Sequence, residues 1–235
     1  GFDKKETITN TKKHTNDLVT EYDLKAQQII ISEIKKHFPN DIIIGEEEGY
    51  HDIKAKTAWV IDPIDGTNPF SRKMINFGVV IGYMENFEAK LSVIYNPVID
   101  EVYSAVSGCG ATKNGQPITI ANRPFENQLV SIEGFGTKRS CYLRYLFQDY
   151  VYNTTGRSCS CFSTIMVGTG QSDAFVTHTE HIWDRIHYLL LVEAGAKVTN
   201  FKGEKYTVDQ KDYIACHPSY HKKYTEILAE TLKKI

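Results

Sequence analysis

An apolar run that ends in two acids constrains this chain more than any other feature. Residues 59–70 read WVIDPIDGTNPF, with Asp62 and Asp65 three residues apart and Gly66 and Thr67 immediately after. The run before them (AWVI, residues 58–61) has the look of a buried strand. Two carboxylates at the end of such a strand repel each other, so a positive group is expected between them. Gly66 permits close backbone approach. A short helix starting there would point free amide N–H groups at an anion.

That cation must act locally. The 27 Lys and Arg nearly balance the 29 Asp and Glu, for a net charge of −2, so no global field favours nucleic acid or an anionic membrane. With 41% hydrophobic and 24% charged residues over 235 positions, the chain matches an ordinary globular protein with a full core. Five scattered cysteines fit reduced thiols and a cytoplasmic setting. Cys159 and Cys161 have no nearby second pair to complete a zinc site. No apolar stretch has the length of a membrane span, and the polar first residues do not read as a signal peptide. The polar start GFDKKETITN reads as a chain entering its fold without a leading helix.

Periodicity predicts a helix over 20–38 and strands over 42–45 and 58–61. An antiparallel meander is expected over 77–85, 90–97 and 101–106, with a hairpin around KNGQ (residues 113–116) as a type I′ turn. Farther on, helices are expected over 137–149, 160–171, 184–195 and 219–234, with strands at LVSIEG, DAFVT, AKVT and YIACH. This mixture predicts an α+β fold or a layered sandwich rather than a simple doubly wound sheet, in one domain with halves at about 1–135 and 136–235.

Further acids stand at predicted element ends: Asp23 in NDLVTEYD, Glu46 and Glu47 in GEEEG, and Asp184 in HIWDR. Each has an ordinary reading. Asp23 follows Thr20 as in a capping box, Asp184 suits a helix start, and the glutamates suit a solvated loop. Together they resemble a set of oxygen ligands for Mg2+. A pair such as Asp62 and Asp65 can bridge two metals about 3.5–4 Å apart, the arrangement for phosphoryl displacement. The Thr67 hydroxyl can orient a water or simply cap a helix.

The haloacid dehalogenase-like signature D-x-D-G-T does not fit, because Asp62 and Asp65 have two residues between them. The chain instead resembles the inositol monophosphatase family of Mg2+-dependent, lithium-sensitive phosphatases. DLVTEYD, GEE (45–47), WVIDPIDGT and WDRIHYLLLVEAGAKVT are similar to four of its motifs in order, from about residue 16 onward. The resemblance implies an αβαβα sandwich of the inositol monophosphatase/fructose-1,6-bisphosphatase type, commonly a homodimer. It implies two or three Mg2+ ions. Glu46, Asp62 and the Ile64 carbonyl would hold the first, and Asp62, Asp65 and Asp184 the second. A third, weaker ion would touch Asp23 or Glu46. Asp23 and Thr67 would activate the attacking water, and the Gly66 and Thr67 amides would receive the phosphate. The family's leading helix is missing by this comparison.

Departures from the pattern bear on the substrate. Asn68-Pro69-Phe70 follows Thr67, where the pattern has x-N-F; Pro69 is compatible with a first helical turn. Thr177 stands where inositol phosphatases of the family carry a Glu that grips the ring. Arg185, Ile186, His187 and Tyr188 replace small residues after Trp183-Asp184. That bulk either narrows the alcohol pocket or lets Arg185 meet a second negative group, unless Arg185 simply points to solvent. The pocket-lining R-S-x-G-S/T loop reads RSCSCFS, which puts Ser158, Cys159 and Ser160 beside the leaving alcohol. The expected substrate is a small phosphomonoester, inositol 1-phosphate by default. Fructose 1,6-bisphosphate, histidinol phosphate and 3′-phosphoadenosine 5′-phosphate are alternatives, as is a non-catalytic regulatory protein on the same scaffold.

Overall fold

A computed structural model describes residue 2 and residues 8–11, 18–47, 54–134 and 137–234. Asn16 and Asp17 of the first motif and Glu48 and Gly49 of the acidic loop lie outside these residues. A short antiparallel pair, β1 (Ile8–Thr11) and β2 (Leu18–Thr20), leads into α1 (Glu21–His37). Acids in the first turn of α1 and Lys35, Lys36 and His37 in its last turn complement the helix dipole.

A seven-stranded sheet follows. It contains β3 (Ile43–Gly45), β4 (Ala58–Asp65), β5 (Gly78–Glu85), β6 (Glu88–Asn96), β7 (Glu101–Val106), β8 (Ala111–Lys113) and β9 (Gln116–Pro117), paired in that order. Only β3 and β4 run parallel; every later pair is antiparallel. The short helix α2 (Thr67–Ser71) interrupts between β4 and β5. Asn114 and Gly115 both have positive φ, 49° and 76°, as the expected type I′ hairpin turn requires. Burial alternates along β5, whereas β4 is buried on both faces apart from Trp59. The reason is that α1 covers one face of β4, where Ile31 and Ile34 meet Ile61.

The second sheet takes the order β11 (Asn153–Thr155), β10 (Leu129–Gly134), β12 (Ala174–His178), β14 (Asp212–Cys216) and β13 (Lys197–Thr199). Here β10 is parallel to β11 and β12, and β14 is antiparallel to both its neighbours. Between the sheets lie α4 (Ser160–Gly168) and α5 (Tyr188–Glu193), embedded in the largest apolar cluster. Outside the second sheet, α3 (Thr137–Phe147) and α6 (His221–Leu232) pack Leu143, Phe147, Tyr224, Ile227 and Leu228 onto it. The layers therefore run helix, sheet, helix, sheet, helix, the αβαβα sandwich expected.

All five predicted helices are shorter than their periodicity predicts, α1, α3 and α6 by about two to four residues each, and α4 and α5 for a local reason. α4 stops at Gly168 rather than 171, because Gly170 turns to φ 71° and the amides of Gln171 and Ser172 both return to the Met166 carbonyl. α5 begins at Tyr188 rather than 184, since Arg185 and Ile186 close onto the Ile182 carbonyl in an isolated turn.

Candidate active site

The end of β4 builds the centre. Its pairing with β5 slips between Asp62 and Asp65, and Pro63, with no N–H to donate, occupies the irregularity. The Asp62 carboxylate accepts from the Ile64 amide at 3.0 Å, which turns it across the strand end. Gly66 has φ 93°, and a Cβ there would lie 3.0 Å from the Asn76 carbonyl and 3.1 Å from Cys159. Only glycine fits both requirements. The short helix expected after it is α2. Thr67 donates its hydroxyl to the Ile64 carbonyl at 3.2 Å and lies 3.4 Å from Asp23, a fully buried acid on α1.

The predicted acids converge from both sheets. Asp62, Asp65 and Asp184 each present an oxygen within 4.8 Å of the others, and Glu46, after β3, hydrogen-bonds with Asp62. Asp184 reaches them from the turn before α5, steadied by the Thr179 hydroxyl at 2.9 Å. Burial, and then the neighbouring Glu46, Asp65 and Asp184, push Asp62 well above the usual carboxylate range. Burial with Asp65 and Glu46 pushes Asp184 up to about 8. Carboxylates crowded this way favour a hard cation, and an all-oxygen donor set fits Mg2+.

Beside the acids is a cavity of about 180 Å³, bordered by Ser158, Cys159, Ser160 and Thr177 together with Asp65 and Asp184. Ser160 donates to Asp65 from its hydroxyl at 2.7 Å and from its amide at 3.2 Å, and Cys161 adds an amide at 2.5 Å. Sequence reasoning missed Glu133, which also lines this cavity. It is opposite Thr177 in the β10–β12 register and accepts from the amides of Arg157 and Ser158 at 2.6 and 3.2 Å. Ser158 has φ 55°, a strained conformation held by those bonds. Burial raises the Glu133 carboxyl above its ordinary range. The signal was present, since LVSIEG ends an apolar strand in an acid just as WVID does.

Of the bulky residues after Asp184, Arg185, Ile186 and Tyr188 lie outside the cavity lining, whereas His187 stands behind its Ser160 wall. Arg185 is buried and donates to the carbonyls of His181 and Gln210 at 3.0 and 2.5 Å, so it does not point to solvent, and it is not among the residues that line the cavity. Ile186 packs over Gly82, where a Cβ would meet it at 2.1 Å. Tyr188 accepts from the Ala89 amide at 3.3 Å. His187, fully buried, bridges the hydroxyls of Ser160 (3.1 Å) and Thr164 (2.9 Å), and burial holds it down at about 4.

Residues 1–235 match the profile described as the inositol monophosphatase family. A fructose-1,6-bisphosphatase/inositol-1-monophosphatase of Thermotoga maritima is 32% identical, over 97% of this chain and 90% of its own length. The Nus factor SuhB of Xylella fastidiosa is 31% identical, over 86% of this chain and 76% of its own. The solved Thermotoga maritima IMPase superposes with a TM-score of 0.88 at 31% identity, covering 98% of this chain and 91% of that one.

Proposed function

Because this chain belongs to the inositol monophosphatase family, and is thereby a phosphomonoesterase, we propose that it cleaves a small polyol or sugar phosphate, inositol 1-phosphate by default. The observation that carries this reading is the convergence of Asp62, Asp65 and Asp184 within 4.8 Å beside the Thr67–Asp23 pair. Glu46, Asp62 and the Ile64 carbonyl would hold one Mg2+, and Asp62, Asp65 and Asp184 a second, with a third, weaker site near Asp23 or Glu46. Bound there, such ions would supply positive charge to offset the charge developing on the phosphoryl oxygens.

The chain's own groups do the rest. Thr67, placed between Asp23 and the Ile64 carbonyl, orients the attacking water while Asp23 takes up its proton. The Gly66 and Thr67 amides at the start of α2 meet the phosphate. Thr177, Ser158 and Ser160 border the cavity that receives the leaving alcohol, and a hydroxyl-lined wall suits a polyol. The protein is expected to act as a homodimer and to be inhibited by lithium.

A second reading, a non-catalytic regulatory protein, is favoured by relatives named Nus factor SuhB. Phosphate release with and without Mg2+ separates the two. Inositol 1-phosphate, fructose 1,6-bisphosphate, histidinol phosphate and 3′-phosphoadenosine 5′-phosphate form the panel. Mg2+-dependent turnover of at least one is expected, and silence on all of them from folded protein overturns the phosphatase assignment.

A further inference from the structure

The geometry points to a second metal site of opposite preference, formed by Cys159, Cys161 and Asp65, that takes a thiophilic ion such as Zn2+ or Cd2+. The two Sγ atoms are 3.5 Å apart, and an Asp65 oxygen lies within 4.8 Å of both. In a tetrahedral site with metal–sulfur bonds of about 2.3 Å, two sulfurs stand roughly 3.8 Å apart. The thiols therefore need only a few tenths of an ångström to accept an ion.

Their one-residue spacing permits this because the backbone changes course between them. Cys159 is extended (φ −161°, ψ 112°), whereas Cys161 lies in the first turn of α4, so the side chains converge. Two glycines make the room. A Cβ at Gly66 would lie 3.1 Å from Cys159 Sγ, and one at Gly78 would lie 3.0 Å from Cys161 Sγ. Cys161 occupies the position where the R-S-x-G-S/T loop carries a hydroxyl, which gives this chain its second soft donor.

The pair is buried, at 3% and 0% exposure, yet Cys159 borders the same cavity as Asp184 and Thr177. An ion can enter there, and a water from the cavity completes its fourth position. On binding, both thiol protons pass to solvent and two metal–sulfur bonds form, with no change of oxidation state. Thiolates select soft ions over Mg2+. Asp65 belongs to both donor sets, so an ion held by the thiols withdraws it from the oxygen site. That inhibitory consequence rests on the proposed phosphatase activity; the binding itself does not.

The test is a cadmium titration without Mg2+ or substrate, in the Cys109→Ser/Cys141→Ser variant, which lacks the two exposed thiols. One equivalent of Cd2+ is expected to bind with a sulfur-to-cadmium charge-transfer band. Cys161→Ser should roughly halve that band and weaken binding roughly tenfold or more, and Asp65→Asn should weaken binding while keeping the band. Should Cys161→Ser not fold, cadmium NMR of the parent variant counts the sulfurs directly. No band from natively folded protein, or a band that survives in Cys159→Ser/Cys161→Ser, overturns the site. If the band forms but no substrate is turned over even before cadmium is added, the phosphatase reading falls and the metal site stands.

Discussion

Asp65 is held by three donors from one turn of α4, the Ser160 hydroxyl and the amides of Ser160 and Cys161. Asp65→Asn keeps that shape but removes a charge, so turnover is expected to fall by at least roughly 100-fold. The Asn NH2 cannot accept, so the amide of Ser160 or of Cys161 loses its partner while repulsion toward Asp62 is relieved; thermal unfolding should still show a cooperative transition of folded protein. Substantial remaining activity would remove Asp65 from the metal set. His187→Ala strips the Ser160 and Thr164 hydroxyls of a buried partner and is expected to cost about 1–3 kcal/mol in denaturant unfolding; an unchanged midpoint would show that these hydroxyls find other partners. The convergence of Asp62, Asp65 and Asp184 was legible because each acid stands at the end of a predicted element. His187 was not, because its partners on α4 are more than twenty positions away in sequence.

Strands were legible where burial alternates or is continuous, as in β5 and β4. Short elements such as β11 and α2 were harder to delimit, because three to five residues give too little periodicity to separate from a turn. The lengthened reading of α5 failed for a different reason. The residues after Trp183 keep a helical apolar rhythm, but Asp184 is tied to Thr179 and Arg185 to backbone carbonyls, which fixes a separate turn. The bulk of Ile186 is accommodated across the interior by Gly82 on β5. Gly82→Ala places a methyl against a fully buried side chain and is expected to destabilise the fold by about 1–3 kcal/mol. A denaturation midpoint unchanged from the parent would mean that the turn carrying Ile186 moves freely against β5.

The sandwich brings acids of its first half against Asp184, which follows β12 in the second sheet, so cation binding at this cluster would be linked to folding. The Asp184 carboxyl is raised from 3.8 to about 8. In the metal-free protein the folded state therefore keeps a proton that the unfolded state has lost, and stability falls as pH rises through that window. Without Mg2+ the unfolding temperature should drop between about pH 5 and about pH 8, and Mg2+ should raise it more at the upper end, where binding displaces the proton. A flat profile in differential scanning calorimetry would refute the linkage. The position of Asp184 in the chain also orders events during synthesis. Asp23, Glu46, Asp62 and Asp65 leave the ribosome roughly 120 residues or more ahead of it, a delay on the order of ten seconds at ordinary elongation rates. The first sheet can pair while the last acid is still untranslated, so the full repulsion of the cluster is met only by a nascent chain already held in place.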